Sequence, residues 1–333
     1  MSTVPTPVSA AMIVKNEAAR LGAALDSLAR LSCVREVVVL DTGSTDGSPD
    51  IARERGARVH HGEWHDDFAL ARNAAADLCA HDWILVLDGD EEVVDGTAID
   101  ALFASPDAVA RVNGVRVHVE NRVPGQTPTY AASLRLYRRD VARWRYPVHN
   151  QLVGVTAVAD TNAHWLAWSD EPPTEASRQR RFAVLLQHAL RPENSPDRDR
   201  GAALHYAFFI TQEMRARGIL DGVIEWGERY LSLRPLEDTP CAVVSQWIVE
   251  ALIAAGQVER ACEVLQGALC HHGAFWPLLQ LEAGLVLARW ACAMADPDGR
   301  YGRLESHAPP TPEAFRAATS LLGVEVPIEE RGD

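Results

Sequence analysis

A chain of 333 residues, 47% hydrophobic and 23% charged, has the composition of an ordinary globular protein with apolar material for two domains. Its net charge of −14 argues against nucleic acid or an anionic membrane as the main partner, since both repel an acidic surface. No apolar run approaches the ~18 residues of a membrane-spanning helix, so no integral membrane segment is expected. Met1–Ser9 lacks the basic and apolar regions of a signal peptide, which makes a cytoplasmic location the expectation. The six cysteines (Cys33, Cys79, Cys241, Cys262, Cys270 and Cys292) lie in apolar contexts without a CxxC pair. They read as buried reduced thiols rather than as disulfides or a zinc site.

Residues 8–100 alternate short apolar runs with helical patterns, the signature of βαβ units. Val8–Val14 predicts a strand, Ala18–Arg30 a helix, and Val37–Leu40 a second strand. A turn over Asp41–Gly47 leads into a helix at Ser48–Arg55. A short strand at Ala57–His60, a helix at Asp67–Cys79 and a strand at Trp83–Leu87 follow. Beyond Glu91, the stretches Val112–Glu120, Ser133–Arg139 and Val148–Val155 alternate in β fashion, with Pro124-Gly125 as a turn. Asp170–Pro173 reads as a linker between an α/β domain, 1–170, and an all-α domain, 171–333. Helices are predicted at Thr174–Leu190, Arg198–Arg217, Leu220–Leu233, Cys241–Ala255, Val258–Cys270 and Trp276–Ala293, with one more at Pro312–Leu322. Gly218 and Gly256-Gln257 mark turns about one helix pair apart, which is similar to tetratricopeptide repeats of about 34 residues. A generic helical bundle fits the same pattern, and oligomerisation through this half stays open.

The strand Trp83–Leu87 runs straight into Asp88-Gly89-Asp90-Glu91-Glu92. In open α/β sheets ligands bind beyond the carboxyl ends of the strands, where these acids lie. Two carboxylates around a glycine suit Mg²⁺ or Mn²⁺ beside substrate phosphates, and an acidic loop that merely ends a strand explains them equally well. Three further segments share that rim: Met12–Glu17 with Asn16, Asp41–Gly47, and Phe68–Asn73 with Arg72.

Together the four segments, MIVKNE, VVVLDTGSTDGS, DFALARN and WILVLDGDEE, resemble the family-2 glycosyltransferases of GT-A fold over roughly residues 8–165. The branch they resemble joins this domain to tetratricopeptide-like helices and includes lipopolysaccharide-core glucosyltransferases and bacteriocin peptide glycosyltransferases. The resemblance implies a UDP-sugar donor, with the Asn16 segment and Asp41 on the nucleotide, Arg72 toward the nucleotide or its phosphates, and Asp88 on the ribose or a metal-bound water. Asp90 would ligate Mn²⁺ or Mg²⁺ directly, and Glu91 would join the metal shell. Asp41 alternatively caps the following helix.

Tyr146–Leu152 resembles the family's VHEQL segment and makes His149 a candidate metal ligand. Here Asn150 replaces the usual Glu, and an amide is no general base near neutral pH. Glu91 or Glu120 would then take the acceptor's proton, or the Glu only orients groups and Asn replaces it. The remaining reading is a thiol acceptor, whose pKa of about 8.5 lessens the need for a base. His164-Trp165 resembles a closing-strand pair on the acceptor side. A peptide or protein acceptor is favoured because helical repeats form concave surfaces. The alternatives are a saccharide or lipid-linked saccharide in envelope biosynthesis and a non-catalytic nucleotide-sugar binding module. The run Arg135, Arg138, Arg139, Arg143 and Arg145 lies next to the expected site and could bind a diphosphate or an acidic acceptor, but reads most simply as an exposed strand face; the tryptophans of the helical half read as packing anchors.

Overall fold

The computed structural model describes residues 5–168, 174–272 and, between 275 and 285, all but 276 and 283. They divide into two compact units between Val184 and Leu185. In chain order the first unit contains β1 (Val8–Val14), α1 (Leu21–Leu28), β2 (Val34–Asp41), α2 (Ser48–Glu54), β3 (Arg58–His61) and α3 (Phe68–Asp77). Next come β4 (Trp83–Val86), β5 (Glu91–Asp95), α4 (Thr97–Phe103), α5 (Pro106–Val109), β6 (Gly114–Arg122) and β7 (Thr129–Arg138). The unit ends with β8 (Arg143–Arg145), β9 (Gln151–Val153), β10 (Val158–Trp168) and the start of α6 (Glu175–Ala189).

Eight strands form one mixed sheet in the order β3-β2-β1-β4-β7-β6-β10-β5, and β8 pairs with β9 separately. β1 is parallel to β2 and β4, with Val14 opposite Asp41 and Ala11 opposite Val86, so three strand ends share a rim. The period-2 alternation of β1 sorts its side chains between two layers. Val8, Ala10, Met12 and Val14 join α1, α2 and α4 in one core, whereas Ala11 joins the alanine face of α3 in the other. Trp165 of β10, fully buried, anchors the first core. The α3 segment helps itself: it is rich in alanine, and the Asp67 carboxylate caps it by accepting from Leu70 N at 2.8 Å.

β1 spans its predicted bounds, and the other predicted strands of the parallel half appear with shifted ends. Residues 18–20 form turns instead of helix, which shortens α1, and β2 begins three residues earlier than its apolar run. Glu91-Glu92, read as the tail of an acidic turn, opens a strand, Glu91–Asp95, antiparallel to β10. α4 and the full length of β10 carry weaker periodic signals and were not predicted. The expected strand at Val148–Val155 reduces to β9, because the backbone bends through 147–149 and His149 adopts φ +52°.

In the second unit the chain continues through α7 (Arg200–Ala216), α8 (Leu220–Ser232), α9 (Thr239–Ala254) and α10 (Val258–His272). Each of these helices packs on the next. Gly218 and Gly256 end helices with φ of +68° and +76°, conformations that favour glycine. Trp226 is buried, and Trp247 packs against Phe208 with ring centroids 5.5 Å apart, as helix anchors should. Trp276, Trp290 and the predicted helix at Pro312–Leu322 lie outside the described residues, as does most of Trp276–Ala293. Of the cysteines, Cys33, Cys79 and Cys241 are buried thiols, but Cys262 is half-buried and Cys270 exposed. Cys292 is outside the described residues. No helix among the described residues is long and apolar enough to cross a membrane.

Candidate active site

At the rim where β1, β2 and β4 end lies a cleft of about 420 Å³. Lys15 and Glu17 form one side, Asp88, Gly89 and Asp90 the floor, and Trp64, Phe68 and Arg72 the other side. Two loops are knitted together to make this edge. The backbone N–H groups of Asn16, Glu17 and Ala18 donate to Ser44 Oγ (2.9 Å), Ser48 Oγ (2.8 Å) and Asp46 Oδ2 (3.1 Å). In return the Asn16 side chain accepts from Thr45 N at 2.7 Å, and Asn16 itself sits at φ +58°. Asn16 therefore holds the loop that presents Glu17.

Asp41 is buried and lies behind the rim; its neighbour Thr42 lines the cleft. Its carboxylate accepts from Ser44 N at 3.2 Å and faces His61 Nδ1 at 3.2 Å, a loop-capping arrangement. Burial disfavours its charge, but the hydrogen bonds from Ser44 and His61 prevail and hold it below the ordinary carboxylate range.

The three acids of the cleft differ sharply. Asp88 receives both bonds of Arg72 Nη2, at 2.8 and 3.0 Å, with Arg135 Nη1 at 3.8 Å. Burial opposes its ionisation, yet the two guanidiniums lower its pKa. Arg72 is itself stacked over Trp144, 5.1 Å from the ring centroid, and its Nε and Nη1 have no hydrogen-bond partner among the described residues. Asp90 is the opposite case. No donor from another described residue reaches its carboxylate, and burial together with the Asp88 charge raises its pKa. Gly89 lies so close to Glu17 that a Cβ would meet Glu17 Cγ at 2.7 Å. Burial and the charges of Asp90, Asp88 and Asp46 push Glu17 up to about 7. Glu17, Asp88 and Asp90 thus crowd one wall with more negative charge than its arginines balance.

Glu91 turns away from the cleft. It is 4% exposed and bonded to Arg135, and burial drives its carboxyl up to about 7 against the pull of that arginine. Glu120 is buried on β6, between Arg122 Nε at 2.6 Å and His164 Nε2 at 3.2 Å. His149 is exposed and Asn150 half-buried, on the bent segment before β9. None of Glu91, Glu120, His149, Asn150 and His164 lines the cleft. Among the described residues no group of three His, Cys, Asp or Glu side chains stands close enough to hold a metal ion. Arg72, Asp88 and Asp90 line one cleft, Asn16 holds its rim loop, and Asp41 lies behind them.

One contributor corrects the favoured sequence reading and another escaped it. Arg135 belongs not to an exposed strand face but to this site, with its side chain only 12% exposed. The other arginines of that run act elsewhere: Arg138 pairs with Asp140, Arg143 with Asp77, and Arg139 donates to the carbonyls of Ala76 and Cys79. Ser48, fully buried, supports Glu17 across 31 positions of sequence, a contact without any local signal.

The sequence matches the glycosyl transferase family 2 profile over residues 9–157. A TPR repeat-containing protein of Synechococcus elongatus is 42% identical over 145 residues, 43% of this chain and 34% of that protein. An uncharacterized glycosyltransferase of Rickettsia felis is 32% identical over 149 residues, 43% of this chain and 52% of that one. The prophage-derived glycosyltransferase SunS of Bacillus subtilis is 32% identical over 91 residues, 27% of this chain and 21% of its own length. The chain thus spans about a third to a half of the first two relatives. The crystal structure of S. aureus TarS with UDP has a TM-score of 0.45 at 14% identity, covering 81% of this chain and 92% of that one, a likeness too slight to carry functional weight. Residues 9–157 of this chain are a glycosyl transferase family 2 domain, followed by a helical region.

Proposed function

We propose that the chain is a divalent-metal-dependent glycosyltransferase, taking its sugar from a UDP-sugar and inverting the anomeric centre. The carrying observation is the Asp90 carboxylate, without a donor from any other described residue, in a cleft where Asp88 and Glu17 add negative charge. Such a wall fits a hard cation, and the lack of a third protein ligand fits Mg²⁺ or Mn²⁺, which keep waters and take substrate phosphate oxygens. Bound there, the ion would stabilise the charge that grows on the leaving diphosphate. The chain's own groups do the rest. Arg72 lines the cleft and brings its positive charge to the phosphates, and Arg135 helps hold Asp88 ionised and pairs with Glu91. Asp41 and Asn16 fix the loops that shape the nucleotide end.

The favoured acceptor is a peptide or protein side chain. The functional boundary lies near 170/171, the helical part presents the acceptor or a second copy, and the enzyme works in the cytoplasm. UDP release, measured across common UDP-sugars with and without Mn²⁺, tests the core of this reading. Metal-stimulated release from one donor supports it. Absence of release from every donor overturns the transferase assignment, and full activity in metal-depleted buffer overturns the metal's part.

A further inference from the structure

The first unit holds a second cavity, of about 390 Å³, walled by residues 64–68, Val148 and the first turns of α6. It shares Trp64 and Phe68 with the first cleft. Those two rings pack edge to face, centroids 4.8 Å apart, and so form a stiff apolar partition between the two spaces. The far wall carries Arg180 and Arg181. Arg180 is 72% exposed and approaches Asp66 only to 4.0 Å. Arg181 has no ion pair among the described residues. Two under-used guanidiniums facing one cavity are notable in a chain of net charge −14.

The backbone around this cavity is strained. Among the described residues the non-glycine positions with left-handed φ are Asn16, Asp66, Tyr146 and His149. Asn16 adjoins the first cleft. The other three belong to the two segments that wall the second: Asp66 lines it, and Tyr146 and His149 flank Pro147-Val148. Phe68 N donates to Pro147 O at 3.0 Å and ties these segments together. Trp64 Nε1 donates to Asp66 Oδ1 at 3.0 Å and holds the second strained turn. Left-handed backbone at a bulky residue persists only where its surroundings enforce it, and such positions cluster at ligand sites.

We propose that this cavity is an acceptor subsite that takes an anionic group, a carboxylate or a phosphate, against Arg180 and Arg181. The part of the acceptor that receives the sugar then passes Trp64 and Phe68 into the neighbouring cleft. The word acceptor rests on the transferase reading; anion binding in the cavity does not. Calorimetric titration of the full chain, with UDP and Mn²⁺ present, uses two anionic probes and their neutral twins. One pair is the capped peptides Ac-Phe-Ser-Glu-Asp-NH2 and Ac-Phe-Ser-Gln-Asn-NH2, the other glucose 6-phosphate and glucose. An anionic probe should bind at least about tenfold more tightly than its twin, and the pair that shows this identifies carboxylate or phosphate. The double variant Arg180→Gln/Arg181→Gln should lose the preference, and Ala176→Trp, which fills the cavity, should abolish binding of both probes. Circular dichroism checks that each variant keeps its helix content. If neither anion outbinds its twin, or the preference survives in both variants, the proposal is overturned. A wild-type preference without UDP release from any donor would overturn the transferase reading and leave the anion site standing.

Discussion

Glu17→Gln isolates the crowding of charge in the cleft. Burial, then the charges of Asp90, Asp88 and Asp46, raise the Glu17 pKa from 4.5 to about 7. A carboxyl whose folded-state pKa lies above its unfolded value holds its proton more tightly when folded. Its contribution to stability is therefore intact below the unfolded pKa and is lost as pH rises through the folded one. At 1.36 kcal/mol per unit the whole shift sets a ceiling of ~3 kcal/mol. Glu17 is only half-buried, and solvent screening lowers the expectation to ~1–2 kcal/mol. Glutamine keeps the shape and removes the charge. The variant should be more stable than wild type by that amount at about pH 8, and by only ~0.4 kcal/mol at about pH 5. For a unit of this size the larger gain is ~3–6 °C in melting temperature, readable by calorimetry in buffer containing chelator. Adding Mn²⁺ at the higher pH should raise the wild-type melting point more than that of the variant, since the ion relieves the same repulsion. An equal shift at both pH values, or a loss of stability at about pH 8, would refute the reasoning.

Asp90→Ala should cut UDP-sugar turnover by ~10³-fold or more while the melting temperature holds or rises, because the lost carboxylate was strained by burial. Ser48→Ala removes the oxygen that accepts from Glu17 N at 2.8 Å and donates to Asp46 Oδ1 at 2.6 Å. It should cost ~1–2 kcal/mol in urea unfolding and raise KM for the donor more than it lowers kcat. Trp165→Ala empties the centre of the first core and should cost ~3–5 kcal/mol by the same measurement. At Gly154, φ is +105° and a Cβ would lie 2.1 Å from the Val141 carbonyl oxygen. Gly154→Ala should therefore cost ~3 kcal/mol and speed amide exchange through β8 and β9.

The parallel half of the sheet was legible because each strand is a short apolar run ended by polar residues, and β1 sorts its side chains by simple alternation. β5 was not legible: Glu91–Asp95 is acidic at both ends, and only its pairing with β10 makes it a strand. In the site, the floor was readable from Asp88-Gly89-Asp90 itself. Its electrostatics were not, because they depend on Arg135, three strands later in the chain and adjacent only through the β4–β7 pairing. Asp41 shows the same limit from the other side. The resemblance implied a nucleotide contact for it, while its partners within the fold, Ser44 and His61, exist only once the loop and β3 close around it.

The amide of Asn150 cannot take a proton near neutral pH. Glu91 is committed to Arg135 and Glu120 to Arg122 and His164, and neither lines the cleft. Glu17 and Asp90, which do line it, repel each other, and the proposed function assigns them to the cation. A nucleophile that ionises by itself removes the need for a base. A thiol of pKa about 8.5 is a few per cent thiolate near neutral pH, whereas an aliphatic hydroxyl is not measurably ionised. A peptide bearing one cysteine should therefore outrun its serine twin by ~10²-fold in metal-stimulated UDP release, with the advantage growing as pH rises toward the thiol pKa. Equal rates for the two peptides would refute this and return the proton to Glu120, in which case His164→Ala should lower kcat without changing KM for the donor.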